Sequence, residues 1–167
     1  MSVPRKFLMA VIAVALTACG VFAPPSVAPG ESEASIVSRM GKPTGIYQDG
    51  PNRLLEYRTN PGGQNTWMFR LDPSGRALGM EQVLTVEKFA SIRIDQDSKE
   101  DVLRKVGGPY ETSYLRLPDL QVWTYMYLEN GVWDSLMHIH FDRNGTVRKM
   151  MNAPDLWRRP LAGGEGV

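Results

Sequence analysis

Apolar residues along the chain follow two patterns, and both patterns occur twice in the same order. The first pattern is the i, i+1, i+4 spacing of a short amphipathic helix, and the second is the period-two alternation of a half-buried strand. Helical spacing is found at Ile36, Val37, Met40, Val102, Leu103 and Val106. Alternation is found at Leu55, Tyr57, Trp67, Phe69, Leu71, Trp123, Tyr125, Tyr127, Met137, Ile139 and Phe141. Each half of the chain is therefore predicted to be a helix followed by strands whose alternating aromatic residues form the core.

Polar signals mark the ends of both predicted helices. Ser32 and Ser98 are suited to N-caps, because a serine oxygen accepts a hydrogen bond from an unpaired backbone N–H. Gly41 and Gly107 predict left-handed C-caps. Later, "DPSG" and "DRNG" are turn signals that lead into a third strand of each half. The predicted fold class is α+β, with two tandem units, each a short helix followed by a three-stranded antiparallel meander, and with the helices packed on one face of the sheet.

The two units also align with each other as sequences. "GESEASIVSRMGKP" at 30–43 aligns without gaps on "QDSKEDVLRKVGGP" at 96–109. This self-similarity, repeated in later blocks in the same order, indicates an internal repeat. The predicted boundaries are 30–85 for the first unit, 86–155 for the second unit and 156–167 for a loose C-terminal tail.

The N-terminus has the features of a targeting segment. Arg5 and Lys6 precede an apolar run at 7–16, which is too short for a bilayer span of about 20 residues and suits a secretory signal. The run ends in Leu-Thr-Ala-Cys, which resembles the bacterial lipobox. This resemblance predicts a signal peptide at 1–18, lipidation of Cys19 and a Pro-rich tether at 19–29. The alternative is an ordinary signal peptide with an incidental cysteine. Gly20, where an aspartate would favour retention in the inner membrane, favours the outer membrane of a Gram-negative bacterium.

Charge and motif content narrow the function further. Removal of residues 1–18 takes away two cations and no acidic residue, so the net charge changes from +1 to −1 and gives no argument for nucleic-acid binding. The only cysteine, Cys19, excludes an internal disulfide. No nucleophile elbow, zinc-protease motif or phosphate-binding glycine loop occurs. We therefore expect neither enzymatic activity nor a cofactor.

The two histidines, His138 and His140, share one face of a predicted strand. Two imidazoles could contribute to a zinc site, but a closed site needs four ligands and no Cys, Asp or Glu has matching spacing. We expect no metal. The two histidines could also respond to pH, because imidazole titrates near neutral pH. Surface histidines without a role are the simpler interpretation.

The strand face opposite the predicted helices carries a mixture of methionine, arginine and histidine. Methionine adapts its shape and arginine is enriched at interfaces, so this face is a candidate for binding a partner. The alternative is an ordinary solvated face. The candidate residues are Glu56, Arg58, Met68, Arg70, Thr124, Met126, His138 and His140.

The second unit resembles a known lipoprotein family. "ASIRIDQDSKEDVLRKVGGP", "WTYMY" and "FDRNGTV" are similar to the helix, the aromatic strand and the hairpin of the SmpA/OmlA/BamE lipoproteins. Tandem copies also resemble the β-lactamase-inhibitor-protein fold. The first resemblance implies a non-enzymatic lipoprotein of the outer membrane that faces the periplasm, is held by Cys19 and binds an envelope protein such as the barrel-assembly machinery. The second implies the alternative, an inhibitor-like module acting on a hydrolase.

Overall fold

The computed structural model describes residues 25–58 and 63–157, and regular structure in these residues is mostly β. The predicted signal peptide and Cys19 lie outside the described residues. In chain order the elements are α1 (Glu33–Met40), β1 (Gly45–Asp49), β2 (Asn52–Arg58), β3 (Thr66–Leu71), β4 (Ala77–Gln82), α2 (Val86–Ala90), α3 (Lys99–Val106), β5 (Glu111–Leu115), β6 (Leu120–Glu129), β7 (Trp133–Phe141) and β8 (Val147–Pro154).

The predicted α+β fold class, with a helix and a three-stranded meander in each unit, is wrong. Helices account for only 16% of the described residues, and eight strands form two antiparallel sheets of four strands each. The first sheet has the order β1-β2-β3-β4 and the second has the order β5-β6-β7-β8, so both are meanders in chain order. The protein is therefore mostly β, with four strands in each sheet.

The strands that sequence analysis missed are the first of each sheet, β1 and β5. Their sequences, GIYQD and ETSYL, lack the alternation of apolar and polar residues that identifies a half-buried strand. Each becomes a strand by pairing with its neighbour, as in the Gly45↔Glu56 and Glu111↔Thr124 pairs. Both pairs are hairpins, so the partners are near in sequence, but the hydrogen bonds between backbones leave no mark in the apolar pattern of β1 and β5.

The predicted N-caps are confirmed. The Ser32 side chain accepts a hydrogen bond from the first turn of α1 at 3.3 Å. In α3 the Asp101 N–H donates to Ser98 Oγ at 3.2 Å and the Ser98 N–H donates to the Asp101 carboxylate at 2.8 Å, which completes a capping box. Gly41 and Gly107 do follow the helices with φ of +81° and +77°, but ψ of −166° and −170° places them in an extended region open only to glycine, not in the predicted left-handed one.

One face of each sheet packs against a helix that precedes it in the chain. Ile36 of α1 lies in the core of the first sheet, while Val106 of α3 and Phe89 of α2 lie in the core of the second. The ring of Phe89 lies 5.7 Å from that of Tyr125 and 5.0 Å from that of Tyr127. The prediction that the alternating aromatic residues are core residues is confirmed.

The same hydrogen bond closes the end of α1 and of α3. The Tyr57 hydroxyl donates to the carbonyl of Gly41 and the Tyr125 hydroxyl donates to the carbonyl of Gly107, both at 3.0 Å. Carbonyls at a helix end lack partners within the helix, so a hydroxyl from the adjacent strand satisfies them. Each glycine turn is thereby tied to the second strand of the following sheet.

We call the sheet face opposite this core the back face, and the back face of the first sheet is covered by α3. The Gly108 N–H, just after α3, donates to Glu56 on β2 at 3.0 Å. Arg104 of α3 lines a gap of about 220 Å³ together with Leu54 and Met68. Because α3 also packs on the second sheet, the layers follow the order α1, first sheet, α3, second sheet.

Candidate protein-binding face

The eight residues predicted to share one open face lie in two separate places. Glu56, Arg58, Met68 and Arg70 belong to the back face of the first sheet, and Thr124, Met126, His138 and His140 belong to that of the second. The expected exposure is wrong for Glu56, Met68, Thr124, Met126 and His140, all of which are buried. In the first sheet the reason is α3 and the turn that follows it, whose contacts with β1 and with Glu56 no local pattern encodes. Whether any of the eight contacts a partner stays a prediction.

Glu56 is only 1% exposed and accepts three hydrogen bonds. The Tyr47 hydroxyl and the Gly108 N–H donate to Oε2, and Arg58 Nε donates to Oε1 at 2.8 Å. A buried carboxylate is destabilising unless it is paired and hydrogen-bonded, and these donors meet that requirement. Glu56 therefore joins the first sheet to the end of α3.

The space around Glu56 exists because two neighbours are glycines. A Cβ on Gly45 would lie 2.8 Å from Glu56 Oε2, and a Cβ on Gly107 would lie 3.0 Å from its Cδ. Burial raises the pKa of Tyr47, and its bond to the Glu56 carboxylate adds to the rise. Tyr47 thus remains a protonated donor at neutral pH. This junction is tightly built and leaves no room for a ligand.

The back face of the second sheet differs, because none of the described helices packs on it. It forms a groove of about 560 Å³, with Thr124 and Met126 of β6 beside Leu136 and His138 of β7. These side chains meet because the register pairs Thr124 with His138 and Met126 with Leu136. We call this the back-face groove.

Aromatic and acidic side chains border the back-face groove. Tyr110 and Glu111 line it beside β5, and Asp155 and Trp157 line it beyond β8. Trp157 is 96% exposed and Tyr110 is 57% exposed, which is unusual for large apolar rings. The arrangement combines an apolar floor with a few polar groups, which is the usual composition of a ligand-binding pocket.

Two histidines occupy neighbouring rows of this face. His138 Nδ1 lies 3.0 Å from the Thr124 hydroxyl. His140 is paired across the sheet with Val122 and Lys149, and its ring nitrogens have no hydrogen-bond partner among the described residues. Burial lowers the pKa of His140, and the charges of Lys149 and His138 lower it further. His140 is thus neutral in the folded protein at neutral pH.

Two further features concern only the part of the chain that the structure describes. Within it, no group of three or more His, Cys, Asp and Glu side chains lies close enough to hold a metal ion. No helix there is both long and apolar enough to cross a bilayer.

Sequence analysis missed several residues of the back-face groove. Leu136 lies two residues before His138, so the same alternation could have placed it on this face. Tyr110 and Glu111 are not among the predicted site residues, because the sequence pattern does not identify β5 as a strand. Trp157 was assigned to a loose tail, and only the tertiary structure brings it to the groove.

Comparisons with known proteins give little guidance. No protein-family model matches the chain, and no curated protein matches it. The crystal structure of a DUF4309 family protein (YjgB) from Bacillus subtilis aligns with 74% of this chain and 78% of its own, at 13% identity and a TM-score of 0.31. A likeness this weak carries no argument about fold or function, so the resemblance to the SmpA/OmlA/BamE lipoproteins stays a prediction.

Proposed function

We propose that this chain is a non-enzymatic outer-membrane lipoprotein that faces the periplasm and binds another envelope protein. Its role would be that of an accessory in β-barrel assembly or in envelope integrity. The lipobox-like sequence before Cys19 supports the anchor, since several acyl chains on one residue hold a protein stably at a membrane. The family resemblance of the second unit supports the compartment.

The observation that carries the binding proposal is the difference between the two back faces. In the first sheet this face is closed by α3, with Gly108 bonded to Glu56. In the second sheet the corresponding face is a groove of about 560 Å³ that contains Met126, Leu136 and His138. Methionine and aromatic side chains are enriched in protein interfaces, so an element of a partner fits where α3 lies on the first sheet.

A photo-crosslinking amino acid at position 138 tests the groove in intact cells. We expect the full chain with this substitution of His138 to form an adduct with an envelope protein. The matched control is the same substitution at Leu78, which is 54% exposed on the edge strand β4 of the first sheet. Absence of an adduct at 138, or equal adducts at both positions, would show that the groove is not a binding site.

The anchor is tested separately by Cys19→Ala. We expect the wild-type chain to sediment with the outer membrane and the variant to be lost from that fraction, because lipidation needs the thiol. A variant that still fractionates with the outer membrane would disprove the anchor.

The inhibitor-like alternative relies on the concave face of one doubled sheet. The eight strands form two separate sheets instead, with α3 between them, so no described contact favours this alternative. The identity of the crosslinked protein separates the two functions. Barrel-assembly proteins would support the proposal, and a single soluble hydrolase would support the inhibitor.

A further inference from the structure

β5 is an edge strand whose outer side pairs with no other strand of the described residues. All five of its side chains are exposed, and none is Lys, Arg or Pro. The opposite edge strand, β8, carries Arg148, Lys149 and Pro154. Charged residues and prolines are the usual protection of an exposed edge, because they disfavour pairing with another strand. On β5 only the first residue, Glu111, is charged, so the rest of this edge lacks such protection.

Two grooves flank this edge, one on each side of the sheet, and Ser113 of β5 lines both. The first is the back-face groove. The second has a volume of about 430 Å³ and lies on the side of the sheet that faces α3. Its lining includes Tyr114 and Gln121, two basic side chains, Lys99 and Arg143, and two acidic ones, Asp119 and Asp142. We call it the helix-side groove.

The chemistry of the two grooves differs. The back-face groove has Met126 and Leu136 on its floor and Trp157 at its border, so apolar side chains fit there between the acidic residues Glu111 and Asp155. The helix-side groove is lined by polar and charged side chains. Its two carboxylates, Asp119 and Asp142, are paired with Arg143 and Arg148, whereas the Lys99 ammonium group forms no ion pair among the described residues.

Lys99 is available to a ligand because its only described partners are aromatic rings. The side-chain nitrogen Nζ of Lys99 lies 6.0 Å from the centre of the Trp123 ring and 5.8 Å from that of the Phe141 ring. Arg143, in contrast, is already paired with Asp119. An acidic side chain entering the helix-side groove would therefore meet Lys99.

We propose that the β5 edge binds an extended peptide as a fifth strand of the second sheet, with alternating apolar and polar residues and an acidic residue beside Lys99. Side chains of a strand point alternately to opposite faces, so apolar residues would enter one groove and polar residues the other. Backbone hydrogen bonds supply affinity in such strand addition, and the grooves supply selectivity. An unfolded strand of a transmembrane β-barrel has this alternation. The inference rests on the proposed function, because it uses the back-face groove.

A second copy of this chain is a poorer occupant of the same edge. Antiparallel pairing of two β5 strands would bring Glu111 and Ser113 of the partner copy to the apolar side, since both belong to the back face. A second carboxylate there would lie beside Glu111 and Asp155 of this chain, which already line the groove, so like charges would repel.

The first test measures peptide binding to the full chain in detergent by fluorescence anisotropy. The probe is a labelled nine-residue peptide in which Leu and Tyr alternate with Ser, Thr and one central Glu. We expect this peptide to bind. A peptide of the same composition with its apolar residues clustered, and one methylated on alternate backbone nitrogens, should each bind at least about tenfold more weakly. Equal binding of all three peptides would overturn the proposal.

Variants locate the binding on the protein. Ser113→Lys on β5 should weaken binding at least about tenfold, whereas the matched control Met151→Lys, on the exposed edge strand β8, should not. Lys99→Glu should reverse the charge preference, so that a peptide with central Lys binds better than one with central Glu. An unchanged preference, or equal effects of both lysine substitutions, would overturn the assignment. Self-association of the wild-type chain that Ser113→Lys abolishes, without peptide binding, would assign the edge to a second copy.

The failure of this inference is distinguishable from failure of the proposed function. If the probe at position 138 captures an envelope protein but the alternating peptide does not bind, only the strand-addition inference is wrong. If neither occurs, the binding function itself is wrong.

Discussion

Interior polar residues of this protein are mostly satisfied by bonds within the fold. Glu56 accepts from three donors, and Asp97, fully buried, accepts from Arg93 and Lys105. His140 differs, because both ring nitrogens lack a hydrogen-bond partner among the described residues. An imidazole in this environment is stable only when uncharged, so His140 links the stability of the fold to pH.

His140→Gln should make the protein less sensitive to mild acid. The pKa of His140 is lowered in the folded state from a usual value of about 6.5, so the unfolded chain takes up the proton first as the pH falls. The wild-type free energy of unfolding should therefore decrease as the pH falls below about 6.5, and glutamine should remove this part of the decrease. Urea denaturation at pH 7.5 and pH 5.0 measures it.

His138→Gln is the matched control, since it removes the neighbouring histidine and leaves His140 to titrate. It should retain most of the wild-type decrease. If both variants lose stability in acid as the wild type does, burial of neutral His140 does not contribute.

At the scale of the elements, α1 and α3 have the same length but different N-terminal caps. In α1 the Ser32 side chain accepts one hydrogen bond from the first turn, whereas in α3 Ser98 and Asp101 each accept a hydrogen bond from the backbone N–H of the other. The Ser98 N–H, the Ser98 hydroxyl and Arg104 lower the pKa of Asp101 to about 2. The second cap is therefore the stronger, and it starts the helix that joins the two sheets.

Ser98→Ala should destabilise the protein by about 1 kcal/mol at pH 7, and Ser32→Ala by less. The Asp101 carboxylate stabilises the fold above its unfolded pKa of about 3.8, and this contribution is lost as the pH falls towards 2. Ser98→Ala should make that acid loss smaller. Urea denaturation between pH 7 and pH 3 measures both effects, and an equal cost for the two serines would contradict the role of the capping box.

The local sequence pattern predicts an element well where the hydrogen bonds of that element are formed by residues close together in the chain. The ends of α1 and α3 depend on serines and glycines within a few residues. The serine caps and the glycine positions are confirmed, whereas the left-handed conformation predicted for the glycines is wrong. β1 and β5 bury little of their own surface and depend on neighbouring strands for hydrogen bonds, so they were missed. Both missing strands lie at an edge of their sheet, and one of them, β5, carries the proposed binding edge.

For the whole molecule, the stacking of the two sheets through α3 makes the two back faces different. The first is closed at Glu56 and the second remains a groove at Met126 and Leu136. Contacts that link the two halves include the Gly108 bond to Glu56, the bond between Gln64 and Asp134, and the approach of Gly107 to Thr66. The position of α3 therefore determines which back face remains a groove.

The difference in unfolding free energy between Gly107→Ala and Gly41→Ala tests how closely the end of α3 packs on the first sheet. Both glycines have positive φ in the same extended region, so each substitution should cost about 1–3 kcal/mol from the backbone. A Cβ on Gly41 meets nothing within 4 Å, whereas one on Gly107 lies 3.0 Å from Glu56 and 3.2 Å from Thr66. Gly107→Ala should therefore cost about 1–3 kcal/mol more. Urea denaturation checks this, and equal costs would mean that α3 does not press on the first sheet.

The sequence by itself determined the features that arise from neighbours along the chain. These are the helix caps, the core face of the alternating strands and the candidate lipidation signal at Cys19, which lies outside the described residues. The tertiary structure decided which faces stay open. Burial of Glu56 and Met68 depends on α3, an element some 40 residues away along the chain, and the groove at His138 includes Trp157 from beyond the last strand. The period of a strand shows which residues share a face, but only packing between elements determines whether that face meets the protein interior or a partner.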